Sequence, residues 1–161
     1  MMLKPLLVLA VLGAASCTDR PTPDTGPPAG DPPDIARTTF APSLGVDLAA
    51  MTQTPRGAWI RDLTVGTGEP VAAGQQVAIH YAGSLPGGQQ FDANGPADAP
   101  FVFRLAAGEV VPGFDEGVTG MRVGGTRQVV IPPALGYGAE ANGPIPANSI
   151  LVFTIELVSV R

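Results

Sequence analysis

Among its 161 residues the chain has one cysteine, one histidine, one tryptophan and one lysine, and those scarcities remove most enzyme chemistry at the outset. A lone Cys17 cannot staple a domain. With His80 as its only companion, neither a Cys/His zinc cluster nor a Ser-His-Asp triad can be assembled. The single lysine is Lys4 and the net charge is −5, so no basic stripe exists to neutralise phosphates and a nucleic-acid partner is not expected. Gly66-Thr67-Gly68 and Gly124-Gly125 match neither dinucleotide nor P-loop spacing and read as turns. No cofactor and no metal are expected. Glu109, Asp115 and Glu116 read as the charges of a helix start rather than as a catalytic carboxylate pair, and His80 reads as a structural strand residue.

What is present is organised in blocks. Lys4 opens the chain, Leu6 to Leu12 is an unbroken apolar run, and Gly13-Ala14-Ala15-Ser16 sets small residues before Cys17, the order of a secretory signal. The run is shorter than the roughly 20 residues that a membrane-spanning helix needs. Residues 1–17 are assigned to a signal peptide. Ala14-Ala15-Ser16-Cys17 resembles a bacterial lipobox, which implies a lipid anchor at Cys17, although Ala14 stands where leucine is usual. A plain secretory signal with an incidental cysteine is the alternative. Thr18 after the cysteine favours the periplasmic face of the outer membrane in a bacterial envelope. Residues 18–34 hold six prolines and four aspartates, bury nothing, and are expected to be a disordered tether. Residues 35–54 form an irregular lead-in, with Phe40, Leu44, Val46 and Leu48 lying along the domain and Asp47 to Met51 as one helical turn.

From Pro55 to Arg161 the pattern is that of one domain, and 45% hydrophobic residues suffice for one core. Alternation marks strands at Ala58 to Val65, Val77 to Ala82, Phe101 to Leu105, Thr126 to Ile131 and Ile150 to Val160, and Pro86-Gly87-Gly88 turns the chain before Gln90, Phe91 and Asp92. In the last, Leu151, Phe153, Ile155 and Leu157 share one face, which predicts an antiparallel sheet with one face buried. One helix starts at Pro112, carries Asp115 and Glu116 in its first turn, and sets Phe114, Val118 and Met121 on one side. Several strands and a single helix without βαβ rhythm predict an α+β domain, the helix packed on the concave face of the sheet.

Seven of the nine aromatic residues, Tyr81, Phe91, Phe101, Phe103, Phe114, Tyr137 and Phe153, fall in this domain around one acid, Asp92. The phrases VAIHYAGSLPGGQQFDA, PFVFRLAAGEVVPGFDEGVTGM, LGYGA and IPANSILVFTIEL resemble the FKBP-type, macrolide-binding peptidyl-prolyl isomerases from about Ala58 to Val160. The resemblance implies a twisted antiparallel sheet wrapped around one short helix. It also implies catalysis of Xaa-Pro rotation, whose barrier of roughly 18–20 kcal/mol comes from amide resonance. A dry pocket that prefers the twisted amide lowers that barrier without nucleophile or cofactor.

Carried onto this sequence, the resemblance makes Asp92, Tyr81, Tyr137 and Phe91 catalytic. It makes Phe101, Glu109, Val110, Val111, Phe114, Ile145 and Phe153 substrate-binding, with Phe114 as the floor. Phe114 replaces the tryptophan of the best-known members, which implies weaker binding of the macrolide inhibitors that the family takes. The loop from Ala139 to Pro144 is too short for an inserted chaperone domain, and the lead-in is too short for the helical dimerisation domain of some bacterial relatives, so a monomer is expected. Proline-containing polypeptides of the envelope are the expected clients. Two other readings stay open on the residues alone: a non-catalytic proline-peptide binding module, and an envelope holdase chaperone.

Overall fold

A computed structural model describes residues 33–161. The signal peptide, Cys17 and nearly all of the Pro/Asp-rich tether lie outside the described residues. Seven strands form one antiparallel sheet: β1 (Thr52–Gln53), β2 (Trp59–Thr64), β3 (Gln76–Ser84), β4 (Gln90–Asn94), β5 (Phe101–Arg104), β6 (Thr126–Ile131) and β7 (Leu151–Val160). The order is β1-β2-β6-β7-β3-β4. Strand β5 pairs with the first half of β3 while β4 pairs with its second half, so one long strand carries two short partners on the same edge. The helix α1 runs Pro112–Val118.

The expected helix is shorter at its end. Thr119 leaves helical geometry at φ −55° and ψ 131°, so Met121 reaches the core from the turn beyond α1 and not from its last face. A helix of seven residues is marginal by itself, and packing must hold it. Two glycines permit that packing. A β-carbon on Gly113 would lie 2.4 Å from a methyl of Ile131, and one on Gly117 would lie 2.7 Å from a methyl of Val129. Both side chains belong to β6, so the helix backbone presses directly onto that strand.

Arg127, also on β6, closes the other end of the helix. Its Nη1 donates to the carbonyls of Gly117 and Thr119, each at 3.0 Å, which satisfies acceptors left free where α1 ends. Its Nε and Nη2 donate to Asp62 of β2 at 2.6 and 3.2 Å, a bidentate pair that consumes the remaining charge. The core beside α1 joins Phe114 and Val118 to Val77, Ile79, Phe103, Val129, Ile131, Phe153, Ile155 and Leu157.

The expectation of a sheet with one buried face requires correction. On the opposite face, Val130, Ile150 and Val152 are also buried, together with Ile35 and Met51 and against Phe40, Leu44, Val46, Leu48 and Trp59. The lead-in covers them. It does so as three single 3₁₀ turns, Ile35–Arg37, Pro42–Leu44 and Leu48–Ala50, the first and third capped by Asp34 and Asp47 through their side chains. Gln128 donates its amide N–H to the Leu44 carbonyl at 2.6 Å, tying the lead-in to β6.

The close approach of α1 gives a prediction with an unusual sign. Alanine normally improves on glycine inside a helix by about 1 kcal/mol. Overpacking against Val129 costs about 1–3 kcal/mol, so Gly117→Ala should lower the urea midpoint at unchanged slope. A raised midpoint would mean that Val129 yields freely.

Candidate active site

Phe114 faces inward from the first turn of α1 because Gly113 and Gly117 flank it against the sheet. Around it the aromatic rings meet edge to face. Phe153 of β7 lies 5.0 Å away at 88°, Tyr81 of β3 lies 6.0 Å away at 84°, and Phe103 of β5 lies 5.9 Å away at 63°. Tyr81 also meets Phe101 at 5.9 Å and 73°. Each such pair contributes about 0.5–1.5 kcal/mol beyond burial, and each fixes a neighbouring ring plane.

These rings enclose a cavity of about 490 Å³, a size usual for a ligand site. Tyr81, Phe101, Phe114 and Phe153 supply its aromatic wall, and Glu109, Val110 and Val111 supply the segment that leads into α1. Asp92 and Tyr137 complete it. Phe91 and Ile145 were expected on the same wall and are not on it. Phe91 is half-buried with its ring 5.5 Å from Phe153 at 84°, so it braces that ring. Ile145 is buried in the core, its backbone paired both ways with Asn142.

The polar groups of the cavity are few and fixed. The Tyr81 hydroxyl donates to Asp92 Oδ2 at 2.7 Å, holding the carboxylate in one orientation. Burial, followed by the hydrogen bond to Asp92 and its negative charge, pushes the Tyr81 phenol up to about 12. Tyr81 is thus a permanent donor at any physiological pH. Among the described residues, no acceptor meets the N–H of Val111, a residue that lines the cavity.

The histidine and the three acids singled out in the sequence have structural partners. His80 Nδ1 lies 3.0 Å from Asn94 Oδ1 and not against a cavity residue. Glu109 accepts from the Arg104 N–H at 3.1 Å, Asp115 from the Ala106 N–H at 2.9 Å, and Glu116 from the Thr54 hydroxyl at 2.8 Å. The carboxyl of Asp115 is raised above its ordinary range, first by burial and then by the charge of Glu109, against the lowering effect of the Ala106 N–H. Such a site offers apolar walls, one oriented carboxylate and donors, but no nucleophile activated by a base.

Comparison with known proteins places this geometry. Residues 67–158 match the family model described as FKBP-type peptidyl-prolyl cis-trans isomerase. FK506-binding protein 4 of Chaetomium thermophilum is 45% identical over 120 residues, which cover 74% of this chain and 23% of that protein. FK506-binding protein 3 of Candida albicans is 49% identical over 105 residues, 65% of this chain and 24% of that protein. The chain thus spans about a quarter of the length of these curated relatives. Among solved structures, AtFKBP13 aligns with a TM-score of 0.64 and 35% identity over 69% of this chain and 98% of its own. A peptidyl-prolyl cis-trans isomerase from Pseudomonas syringae pv. tomato aligns with a TM-score of 0.62 and 35% identity, covering 69% of this chain and 80% of that one.

The titration of Tyr81 is open to measurement. Its raised value favours the neutral phenol in the folded state, so its contribution to stability is whole below about pH 10 and is lost as pH rises through about 12. A phenolate absorbance titration should show a component near pH 12 that Asp92→Asn moves downward and Tyr81→Phe abolishes. A titration unchanged by Asp92→Asn would disconnect the two residues.

Proposed function

Because the chain belongs to the FKBP-type peptidyl-prolyl cis-trans isomerase family, we propose that it accelerates Xaa-Pro rotation in polypeptides held at this cavity. The carrying observation is the Tyr81–Asp92 hydrogen bond at the rim of a cavity floored by Phe114. A planar amide has a large charge-separated dipole, and twisting about the C–N bond removes the resonance behind it. Transfer into apolar surroundings costs the planar form more than the twisted one, so the cavity binds the transition state better than either ground state. The aromatic walls grip the pyrrolidine ring, Asp92 faces the rotating carbonyl, and the Val111 N–H and the Tyr137 hydroxyl hold carbonyls of the flanking chain. Each 1.36 kcal/mol of that preference is worth about tenfold in rate.

The relatives named for binding FK506 support a further part of the reading: this cavity takes a macrolide of that kind, more weakly for want of a tryptophan at Phe114. Clients in a bacterial envelope and a lipid anchor at Cys17 belong to the same proposal, resting on the run from Lys4 to Cys17 and the tether that follows, and a monomeric state belongs to it on the shortness of the lead-in.

A protease-coupled isomerase assay tests the central claim. Asp92→Leu should keep a native circular dichroism spectrum and lose activity by about tenfold or more, and Phe114→Ala should lose at least as much by wetting the floor. Tyr137→Phe should cost only about twofold to tenfold, the worth of one net hydrogen bond. Wild-type rates for a folded Asp92→Leu protein would remove Asp92 from the mechanism, and proline-limited refolding that the wild type fails to accelerate would favour a binding module. For the anchor, Cys17→Ser should convert a membrane-fraction protein into an unprocessed or soluble one. Identical fractionation of both forms would contradict lipidation.

A further inference from the structure

Beside the proline cavity lies a second, larger cleft of about 640 Å³. The two share Val110 as a common wall, and Val111 and Pro112 on either side of that boundary line the first and second respectively. The floor of the cleft is the outward side of α1, where Pro112, Asp115, Glu116 and Thr119 recur at helical spacing. Its far wall is Thr54, Pro55 and Arg56, the turn between β1 and β2, held to the helix by the Thr54 to Glu116 hydrogen bond. Those wall residues precede the stretch 67–158 that the family model matches and join the end of the lead-in to the start of β2.

We propose that this cleft is a second subsite for the same substrate polypeptide, taking the residues a few positions from the proline and preferring a lysine or arginine there. The inference rests on the isomerase reading, since the occupant is the chain whose proline fills the first cavity. Continuity over Val110 gives the path, because an extended segment rises about 3.3 Å per residue and reaches the cleft within a few residues of the proline. Charge decides the preference. Asp115 and Glu116 are half-buried, Arg56 is exposed, and among the described residues none of the three is in a salt bridge within 4.0 Å. A half-buried carboxylate keeps more of its field than an exposed guanidinium, which salt screens, so the cleft is net attractive to cations. The charge of Glu109, close enough to raise the Asp115 carboxyl, adds to that field.

The test uses the full chain and three sets of peptides. One is a four-residue peptide with a central Ala-Pro, too short to enter the cleft. The others are nine-residue peptides with lysine or glutamate two or three positions from the proline on either side. At low ionic strength kcat/KM should favour lysine over glutamate by about threefold at one or more of these positions, the scale of one or two exposed ion pairs. In the double variant Asp115→Asn, Glu116→Gln an acceptor oxygen remains for the Ala106 N–H and the Thr54 hydroxyl. That variant should bring the ratio close to one while leaving the short peptide within twofold of wild type. Equal rates for lysine and glutamate at every position, or a preference that survives the double substitution, overturns the subsite. If the wild type turns over none of the peptides, the isomerase reading fails by itself. The cleft is then judged by amide chemical shifts on adding the lysine peptides: movement at Ala106, Gly108 and Thr119 supports it, and no movement overturns it.

Discussion

The rest of the domain depends on how closely α1 lies against β6. At Gly113 and Gly117 the helix backbone occupies space that any side chain would have to share with Ile131 and Val129. That approach has an energetic cost, because glycine is the poorest helix former after proline and seven residues cannot sustain a helix alone. Arg127 offsets part of it. From the same strand it closes the helix carbonyls of Gly117 and Thr119 and is itself held by Asp62 on the neighbouring strand. A buried guanidinium with every edge engaged is tolerable; removal of either partner leaves an uncompensated charge, a change on the order of 3–5 kcal/mol for buried pairs and less here because Asp62 is partly exposed.

The position of the cavity floor follows from that contact. Phe114 sits between the two close-packed glycines, so it has little freedom to move away from Phe153, Tyr81 and Phe103. The proposed isomerase activity, which works by shape and desolvation, needs such rigidity. The lead-in contributes from the other side of the sheet. By covering Val130 and Val152 it makes the central strands β6 and β7 buried on both faces, and those strands carry Val129 and Phe153 toward the helix. Its docking is not perfectly satisfied: Gln128 Oε1 is buried without a partner while the amide nitrogen serves Leu44, and the apolar burial around it outweighs that loss.

The strands and the helix start were legible because alternation and an N-terminal proline are local signals. β6 runs Thr126–Ile131 as its valine-rich pattern predicts, and α1 begins at Pro112. Three features were hidden for physical reasons. The second buried face was obscured because Val129-Val130-Ile131 and Leu151-Val152-Phe153 are apolar on both sides, and periodicity alone cannot say what covers the second side. Nothing in the sequence singles out Arg127, and only its hydrogen bonds to the end of α1 show its role. Gly113 and Gly117 read as weaknesses in a helix, whereas their spacing of four is what turns them both to the sheet. The site was named through family resemblance. Spacing by itself could not place Phe91 against Phe153 or Ile145 in the core, because both are apolar residues that pattern alone leaves free to face the cavity.

A helix only two turns long nonetheless presents different residues to two neighbouring cavities. Gly113, Phe114, Gly117 and Val118 turn inward and set the floor, whereas Pro112, Asp115, Glu116 and Thr119 turn outward and line the neighbouring cleft. A substitution on the inward face changes packing, floor and rate together, since all three act through the same contact with β6. One on the outward face alters only charge and contour at the cleft, provided the hydrogen bonds to Ala106 and Thr54 survive. The first face has little room to vary, because a side chain at Gly113 or Gly117 would meet Ile131 or Val129. The outward face makes none of the contacts with Ile131 and Val129 that hold the floor, so its charge can change without displacing Phe114.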